Sequence, residues 1–407
     1  MIFWLDPINF LGQFIQGVFV SWGMSESLAQ FLVLLLGAFV LATGAMMFVI
    51  FLIWLERKLI GRIQDRYGPN RVGPWGIFQP IADLMKIFTK ELIIPDGADK
   101  VPYILAPIIS VAGVLMIWAV VPFAVTMYGV DLNVGVLYLI AAGAIGELGV
   151  IFAGWGSNNK YALLGSFRAI AQLISYEIPM VITLLIPVMM AGSMGLNDIV
   201  KAQNVWFIVL SPVAAVIFFI TQLAEVGRAP FDLVEAESEL VAGFNIEYSG
   251  LNFGMFFVAE FLHAFSVSML FAVLFLGGWR GPGAETYPFL GLVYFVIKTS
   301  CVYALVILAR GALPRFRIDQ MMDINWKILT PLALVIVMVT ALLDKVLTIS
   351  SPFGRSVIFV VVNIAIFILL GEILKNLGLK RKRKLVVPKS LSADAAEKYS
   401  SHFESRV

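Results

Sequence analysis

The chain has 407 residues, of which 60% are hydrophobic and only 14% charged, with a formal net charge of +2 and a mean hydropathy of +0.92. Those values lie outside the soluble globular range and fit a polytopic membrane protein. A single cysteine, Cys301, excludes a disulfide framework or a cysteine-ligated iron–sulfur cluster within the chain, and two distant histidines, His263 and His402, make a histidine-rich metal site a poor expectation.

The first ten residues, MIFWLDPINF, lack a basic stretch and a small-residue cleavage site, so no cleavable signal peptide is expected. Segment 7–22 is apolar but short, which suits an interfacial or re-entrant helix. A bilayer crossing needs about 20 apolar residues. Nine runs qualify, at roughly 29–55, 103–125, 132–155, 169–191, 205–225, 254–277, 287–309, 328–348 and 356–376. The expected fold is therefore an all-α helix bundle spanning the membrane about nine times. Residues 1–379 would form one transmembrane domain, and residues 380–407 a basic polar tail.

With the N-terminus outside, alternate loops place most of the 29 lysines and arginines on the inner side. The outer side keeps Lys201, Arg280, Lys345 and Arg355, and Lys298 lies within a span. That bias follows the positive-inside rule and puts the C-terminus in the cytoplasm. The run KRKRK from Lys380 reads as an anchor at anionic headgroups.

The first inner loop carries turn signals at Gly68-Pro69-Asn70 and Gly73-Pro74. From Phe78 to Glu91, Ile81, Leu84, Met85, Phe88 and Leu92 recur at helical spacing, with Asp83, Lys86 and Lys90 off the stripe. This predicts an amphipathic helix in the membrane interface, packed on the protein's own core or facing lipid. The second inner loop is a polar hinge into a span that holds Arg168, Gln172, Ser175 and Glu177. On a helix the first three share a face and Glu177 lies on another.

The third inner loop departs from the rule. Residues 225–247 carry six carboxylates, Glu225, Asp232, Glu235, Glu237, Glu239 and Glu247, against one cation, Arg228. Carboxylates gathered at a membrane edge repel one another and lose hydration, so they are expected to share protons as a group. Glu235 and Glu239 share a face if the segment is helical, whereas Glu237 joins them only on an extended chain. Arg228 and Arg168 are the expected counter-charges. Within the spans, Glu147, Glu177 and Glu260 are functional candidates by location, with Lys298 as a possible partner. Glu147 sits among small residues that permit close helix approach. His263, three residues after Glu260, is placed to hydrogen-bond it. In the fourth inner loop Arg310, Arg315 and Arg317 lie close to Asp319 and Asp323, as an anchor with local ion pairs or a docking surface.

These loops resemble one family closely, the quinone-site membrane subunit of respiratory complex I, found in bacteria and in mitochondria. The resemblance rests on Glu56-Arg57-Lys58, on YGPNRVGPWGIFQPIADLMKIFTKE at 67–91, and on GWGSNNKYALLGSFRAIAQLISYE at 154–177. It continues through AEVGRAPFDLVEAESELVAGFNIEYSG at 224–250 and LPRFRIDQMMDINWK at 313–327. The departures are Val226-Gly227 before Arg228, the missing tryptophan after Arg310, and a ninth span and basic tail beyond the common core.

The resemblance implies a subunit of a proton-pumping NADH:quinone oxidoreductase in the bacterial cell membrane. It implies a quinone tunnel lined by Glu56, Arg57, Asp83, Arg168, Arg228, Phe231, Asp232 and Arg317. It implies a proton relay through Glu177, Glu225, Glu235, Glu237, Glu239, Glu247 and Glu260. No cofactor would be held by this chain. Quinone would be its substrate, with flavin and iron–sulfur clusters in partner subunits of the redox and membrane arms, and no nucleic-acid partner. An ion-coupled secondary transporter and the related subunit of a membrane-bound hydrogenase are the alternatives. A transporter often shows internal repeats, and none is visible here.

Overall fold

In a computed structural model, the residues described are 7–232, 241–346, 354, 357–369 and 372. The chain order is α1 Pro7–Ser21, α2 Glu26–Ile63, α3 Gln79–Thr89, α4 Lys100–Trp118, α5 Gly135–Gly156 and α6 Lys160–Ala191. It continues with α7 Leu196–Ala202, α8 Phe207–Leu210, α9 Pro212–Glu225, α10 Gly250–Phe275 and α11 Pro288–Ala312. The last elements are α12 Ile318–Ile324, α13 Thr330–Val346 and α14 Val357–Leu369. No strand occurs among the described residues. The protein is a multi-pass membrane helix bundle, as expected.

Seven helices are long and apolar enough to cross a membrane, with α12 and α13 joined as one span. The predicted span 205–225 is not one of them. It breaks at Ser211, where the backbone leaves the helical region ahead of Pro212. Its main piece, α9, has 14 residues, or about 21 Å, short of the ~30 Å hydrocarbon core. Such a break is tolerated because the segment is buried in protein rather than exposed to lipid. Ala214, Phe218 and Thr221 of α9 are fully buried. From α14, Asn363 Nδ2 donates to the carbonyl of Leu210 at the break, 3.1 Å away. The polar hinge before 169 is also helical: Asn159 caps α6 by accepting from the Tyr161 amide at 2.9 Å, so the helix starts at Lys160.

Helices α4 and α5 pack backbone against backbone. A Cβ on Gly113 would stand 2.5 Å from the Gly146 nitrogen, and one on Gly149 would stand 2.1 Å from Ser110 Oγ and 2.8 Å from the Ala106 carbonyl. These are the small residues that flank Glu147, and they bring the helices close enough for van der Waals contact to hold them in lipid. Gly149→Val is expected to force the pair apart at a cost of about 1–3 kcal/mol or more. The amount of assembled protein on a native gel should fall severalfold. Adding Ser110→Ala should not restore it, because the Ala106 carbonyl remains in the way; full recovery in the double variant would show that the backbone approach is not the constraint.

Loops assigned to one side by their charge do meet at one end of the bundle. Asn158 Nδ2 donates to the Gly97 carbonyl at 2.8 Å, Asn159 Nδ2 to Glu247 Oε1 at 2.7 Å, and the Ile93 amide to Ser249 Oγ at 3.0 Å. At the opposite end, Arg280 donates to the Lys201 carbonyl at 2.6 Å and to Asn204 Oδ1 at 2.8 Å. Lys298 is there too, not beside a carboxylate. Its ammonium donates to the carbonyls of Gly278 and Arg280 and sits 5.3 Å from the Trp206 ring centroid. The physical reason is that the turn after α10 leaves carbonyls without helical partners, and a cation at a helix C-terminus meets them.

The amphipathic helix lies within one residue of its predicted start. Ile81, Met85, Phe88 and Leu92 are exposed, while Ile87 packs on Gly254 of α10. The apolar stripe thus faces outward, the arrangement an interfacial helix requires.

Candidate functional site

Side chains of α11 and of the turn after α9 converge on Glu56 of α2. This carboxylate is 2% exposed, at the point of α2 where the long apolar run gives way to Arg57, Lys58 and Arg62. Burying it alone would be prohibitive, and the fold surrounds it with donors. Arg228 Nη1 pairs with its Oε2 and Arg310 Nη1 with its Oε1. The Tyr303 hydroxyl donates to Oε2 at 3.3 Å.

Arg228 is itself 2% exposed. Its Nε stands 3.5 Å from Glu260 Oε1, and its guanidinium lies over the Phe261 ring at 4.8 Å. Burial works against the charged form of Arg228, but Glu56 and Glu260 together more than reverse this, so its pKa lies above the ordinary arginine value. Arg228 was expected to neutralise the acidic loop in which it lies. It instead reaches away to carboxylates on α2 and α10, because Gly227, at a φ of 69°, turns the chain back at the end of α9.

Two pockets flank this cluster. The first, of about 470 Å³ empty volume, is lined by Arg228, Asp232, Asn245, Glu260 and Arg310, with Phe244, Phe256 and Phe257 among its apolar walls. The second, of about 680 Å³, opens between α4 and α5 and is lined by Glu147, Glu225, Glu260 and His263. Val226, Phe244, Phe256 and Glu260 line both, so Glu260 is the titratable side chain common to the two pockets.

In the second pocket His263 Nε2 lies 3.4 Å from Glu225 Oε1. The histidine is spaced to allow a bond to Glu260, as well as a purely structural role. It pairs with Glu225 because α9 packs against α10 and presents its last residue there. Glu147 and Glu177 both feel the charge of Glu225, and Glu147 also feels that of Glu177. Glu225, at the end of α9, thus lies within electrostatic reach of Glu147 on α5 and Glu177 on α6.

Other residues singled out from the sequence take varied places. Arg57 Nη1 and Asp83 Oδ2 are 2.5 Å apart, joining α2 to the interfacial helix α3, with both side chains partly exposed. Lys58 secures the loop between them by donating to the carbonyls of Pro69 and Trp75. Phe231 is buried, packed between Tyr176 at 5.2 Å and Phe316 at 5.7 Å, and lines neither pocket. Arg168 is half-buried on α6 and Arg317 is exposed ahead of α12, and neither lines the two pockets.

Glu247 is half-buried and accepts from Asn159. Its backbone carbonyl accepts from the Tyr103 hydroxyl at 2.7 Å, and the Tyr103 and Tyr248 rings stack at 4.2 Å. Burial, with Tyr103 adding, raises the Tyr248 phenol above its ordinary pKa, so it stays a donor. Glu235, Glu237 and Glu239 lie outside the described residues. Among the described residues no three His, Cys, Asp or Glu side chains are grouped to hold a metal ion.

Arg310 and Tyr303 were not singled out as site residues. Arg310 reads as one more inner-loop anchor; in that loop Asp323 pairs with Lys327 at 2.6 Å. Their spacing carried a signal nonetheless. The two are seven apart on α11, so they share a face of the helix, and that face meets Glu56.

The model of the NADH dehydrogenase family matches residues 36–341. The chain is 46% identical over 318 residues to the H subunit of the NADH-quinone oxidoreductase of Dehalococcoides mccartyi (strain CBDB1), covering 78% of this chain and 88% of that one. It is 50% identical over 300 residues to an H subunit of the same oxidoreductase in Geobacter metallireducens, covering 71% and 90%. It is 48% identical over 300 residues to the H subunit in Geobacillus sp. (strain WCH70), covering 73% and 90%.

Proposed function

The chain belongs to the NADH dehydrogenase family, among the H subunits of NADH-quinone oxidoreductase, and from that premise we propose that it walls the quinone site of the complex and carries protons away from it. The observation that carries this reading is the position of Glu260 on the wall of both pockets.

The quinone side consists of the first pocket, the Glu56–Arg228–Arg310 cluster and the Arg57–Asp83 pair at the interfacial helix. The exposed apolar stripe of α3 lies beside that pair and suits the entry of a quinone from the bilayer. The proton side consists of Glu225, His263, Glu147 and Glu177. Reduction of a quinone to a quinol consumes two electrons and two protons. Protons drawn from the first pocket are replaced through Glu260, and the altered charge is felt by the carboxylate group beyond it. The electrons come from partner subunits, which also hold the flavin and the iron–sulfur clusters. The loop residues Glu235, Glu237 and Glu239 belong to the same relay by their place in the chain. Phe231 supports the tunnel wall from behind, and Arg168 and Arg317 face the partner subunits that complete it. By the distribution of cations, the N-terminus lies outside and the C-terminus in the cytoplasm of a bacterial cell.

Two substitutions in the purified complex, reconstituted in vesicles, separate the halves of this reading. Asp83→Asn should raise the KM for a short-chain quinone by about tenfold and leave protons per electron unchanged, as expected for a lost binding contact. Glu225→Gln should leave that KM unchanged and reduce proton uptake into the vesicles at least about tenfold. The quinone-site assignment fails if Asp83→Asn has a wild-type KM, and the relay assignment fails if Glu225→Gln pumps normally.

A further inference from the structure

Helix α6 contains Pro179. A proline has no N–H for the carbonyl one turn before it. That carbonyl belongs to Ser175, in the interior of the bundle. It is met from another part of the chain: Asn325 Nδ2 donates to the Ser175 carbonyl at 2.5 Å. Asn325 is fully buried and opens a π-turn, Asn325–Leu329, in which the Thr330 amide reaches back to the Asn325 carbonyl. Next to it, the Tyr176 hydroxyl donates to the Met321 carbonyl at 3.0 Å. Consecutive residues of α6 are thus tied to segment 321–325. One turn earlier, Gln172 Nε2 ties the helix to the carbonyls of Ala224 and Phe231, each at 2.7 Å.

The same device occurs once more. Pro107 of α4 leaves the Tyr103 carbonyl without a helical donor, and the Tyr248 hydroxyl supplies one at 3.0 Å. The case in α6 is the more consequential, because Glu177 lies between Ser175 and Pro179. A helical turn that lacks its own bond bends easily. The direction of Glu177 then follows from whatever holds that turn.

We infer that Asn325 is a positioning residue for the proton relay. Its amide supplies the hydrogen bond that Pro179 cannot, and so fixes the turn of α6 that carries Glu177. The consequence for pumping rests on the relay reading above; the hold on α6 does not. The π-turn gives the arrangement its reach, since the extra residue per turn swings Asn325 toward α6, and π-turns recur where a helix serves a site.

The test uses the purified complex with Asn325→Leu, alone and combined with Pro179→Ala. Alanine at 179 restores a backbone N–H to the Ser175 carbonyl and makes the amide of Asn325 dispensable. In Asn325→Leu, amide hydrogen exchange in peptides covering 173–183 should quicken about tenfold, the effect of one lost buried hydrogen bond, and protons pumped per electron should fall. In the double variant both should return to within about twofold of wild type. An asparagine that only fills space would not be rescued, because the leucine is the same in both proteins. Unchanged exchange in Asn325→Leu, or no rescue, overturns the inference. If Asn325→Leu does not assemble, recovery of assembly by Pro179→Ala is the readout, and its failure overturns the inference equally. Glu177→Gln is measured in parallel. If that variant pumps normally, the relay reading falls, while rescue of exchange would still establish the hold on α6.

Discussion

Glu56→Gln is expected to be among the most damaging single substitutions in this protein. The amide would leave two guanidinium groups, from Arg228 and Arg310, facing a neutral partner, with Arg228 shut away from water. Removing one member of a buried ion pair costs about 3–5 kcal/mol when the other charge stays buried; Arg228 keeps Glu260 at 3.5 Å, which sets the cost toward the lower end. That is a large share of the stability of an ordinary domain. The chain should disappear from the assembled complex on a native gel, and quinone reductase activity should go with it.

The partners rank by exposure. Arg228→Met should approach the severity of Glu56→Gln. Arg310→Met should be milder, because the Arg310 side chain is 34% exposed and water screens its charge. A Glu56→Met/Arg228→Met double variant should recover much of the lost assembly, since apolar residues of similar size replace a buried pair at little cost. It should not recover quinone reduction. Equal severity of the two arginine variants, or a double variant no better than the single ones, would show that the cluster is not held by charge pairing.

The second large effect is expected at Glu260. Glu260→Gln keeps the shape of the side chain and a hydrogen-bond partner for Arg228, but removes the carboxyl proposed to hand protons between the two pockets. Loss of a positioned proton-transfer group typically slows the dependent step by about 10²–10⁴-fold. Coupled turnover and proton uptake into vesicles should fall together by at least about a hundredfold, with assembly near wild type because Arg228 keeps Glu56. Glu260→Asp, which retains the carboxyl at shorter reach, should fall between the two. A Glu260→Gln enzyme that still pumps at the wild-type ratio of protons to electrons would reduce Glu260 to a counter-charge for Arg228.

The membrane character, most of the spans and the segregation of loops to two ends were legible in the sequence, because apolar run length and loop charge are local properties that the bilayer reads directly. Breaks were not legible where their tolerance depends on neighbours. The run 205–225 is apolar enough to cross, and only the burial of its Ser211 break among other helices makes the interruption tolerable.

For the candidate site, the sequence by itself singled out Glu147, Glu177 and Glu260, because a charge inside an apolar run is conspicuous wherever it ends up; Glu56 entered only through the family resemblance. The sequence could not pair these groups. Arg228 lies in the acidic loop yet answers Glu56, 172 residues earlier, His263 turns to Glu225 rather than to Glu260, and Lys298 meets carbonyls of the turn after α10 instead of an acid. Pairing depends on which helix faces touch, and that is set by packing over the whole bundle rather than by spacing along one helix. The tertiary structure alone decided that Glu260 stands between two pockets. It alone decided that a buried asparagine on a distant segment completes the helix that Pro179 leaves open.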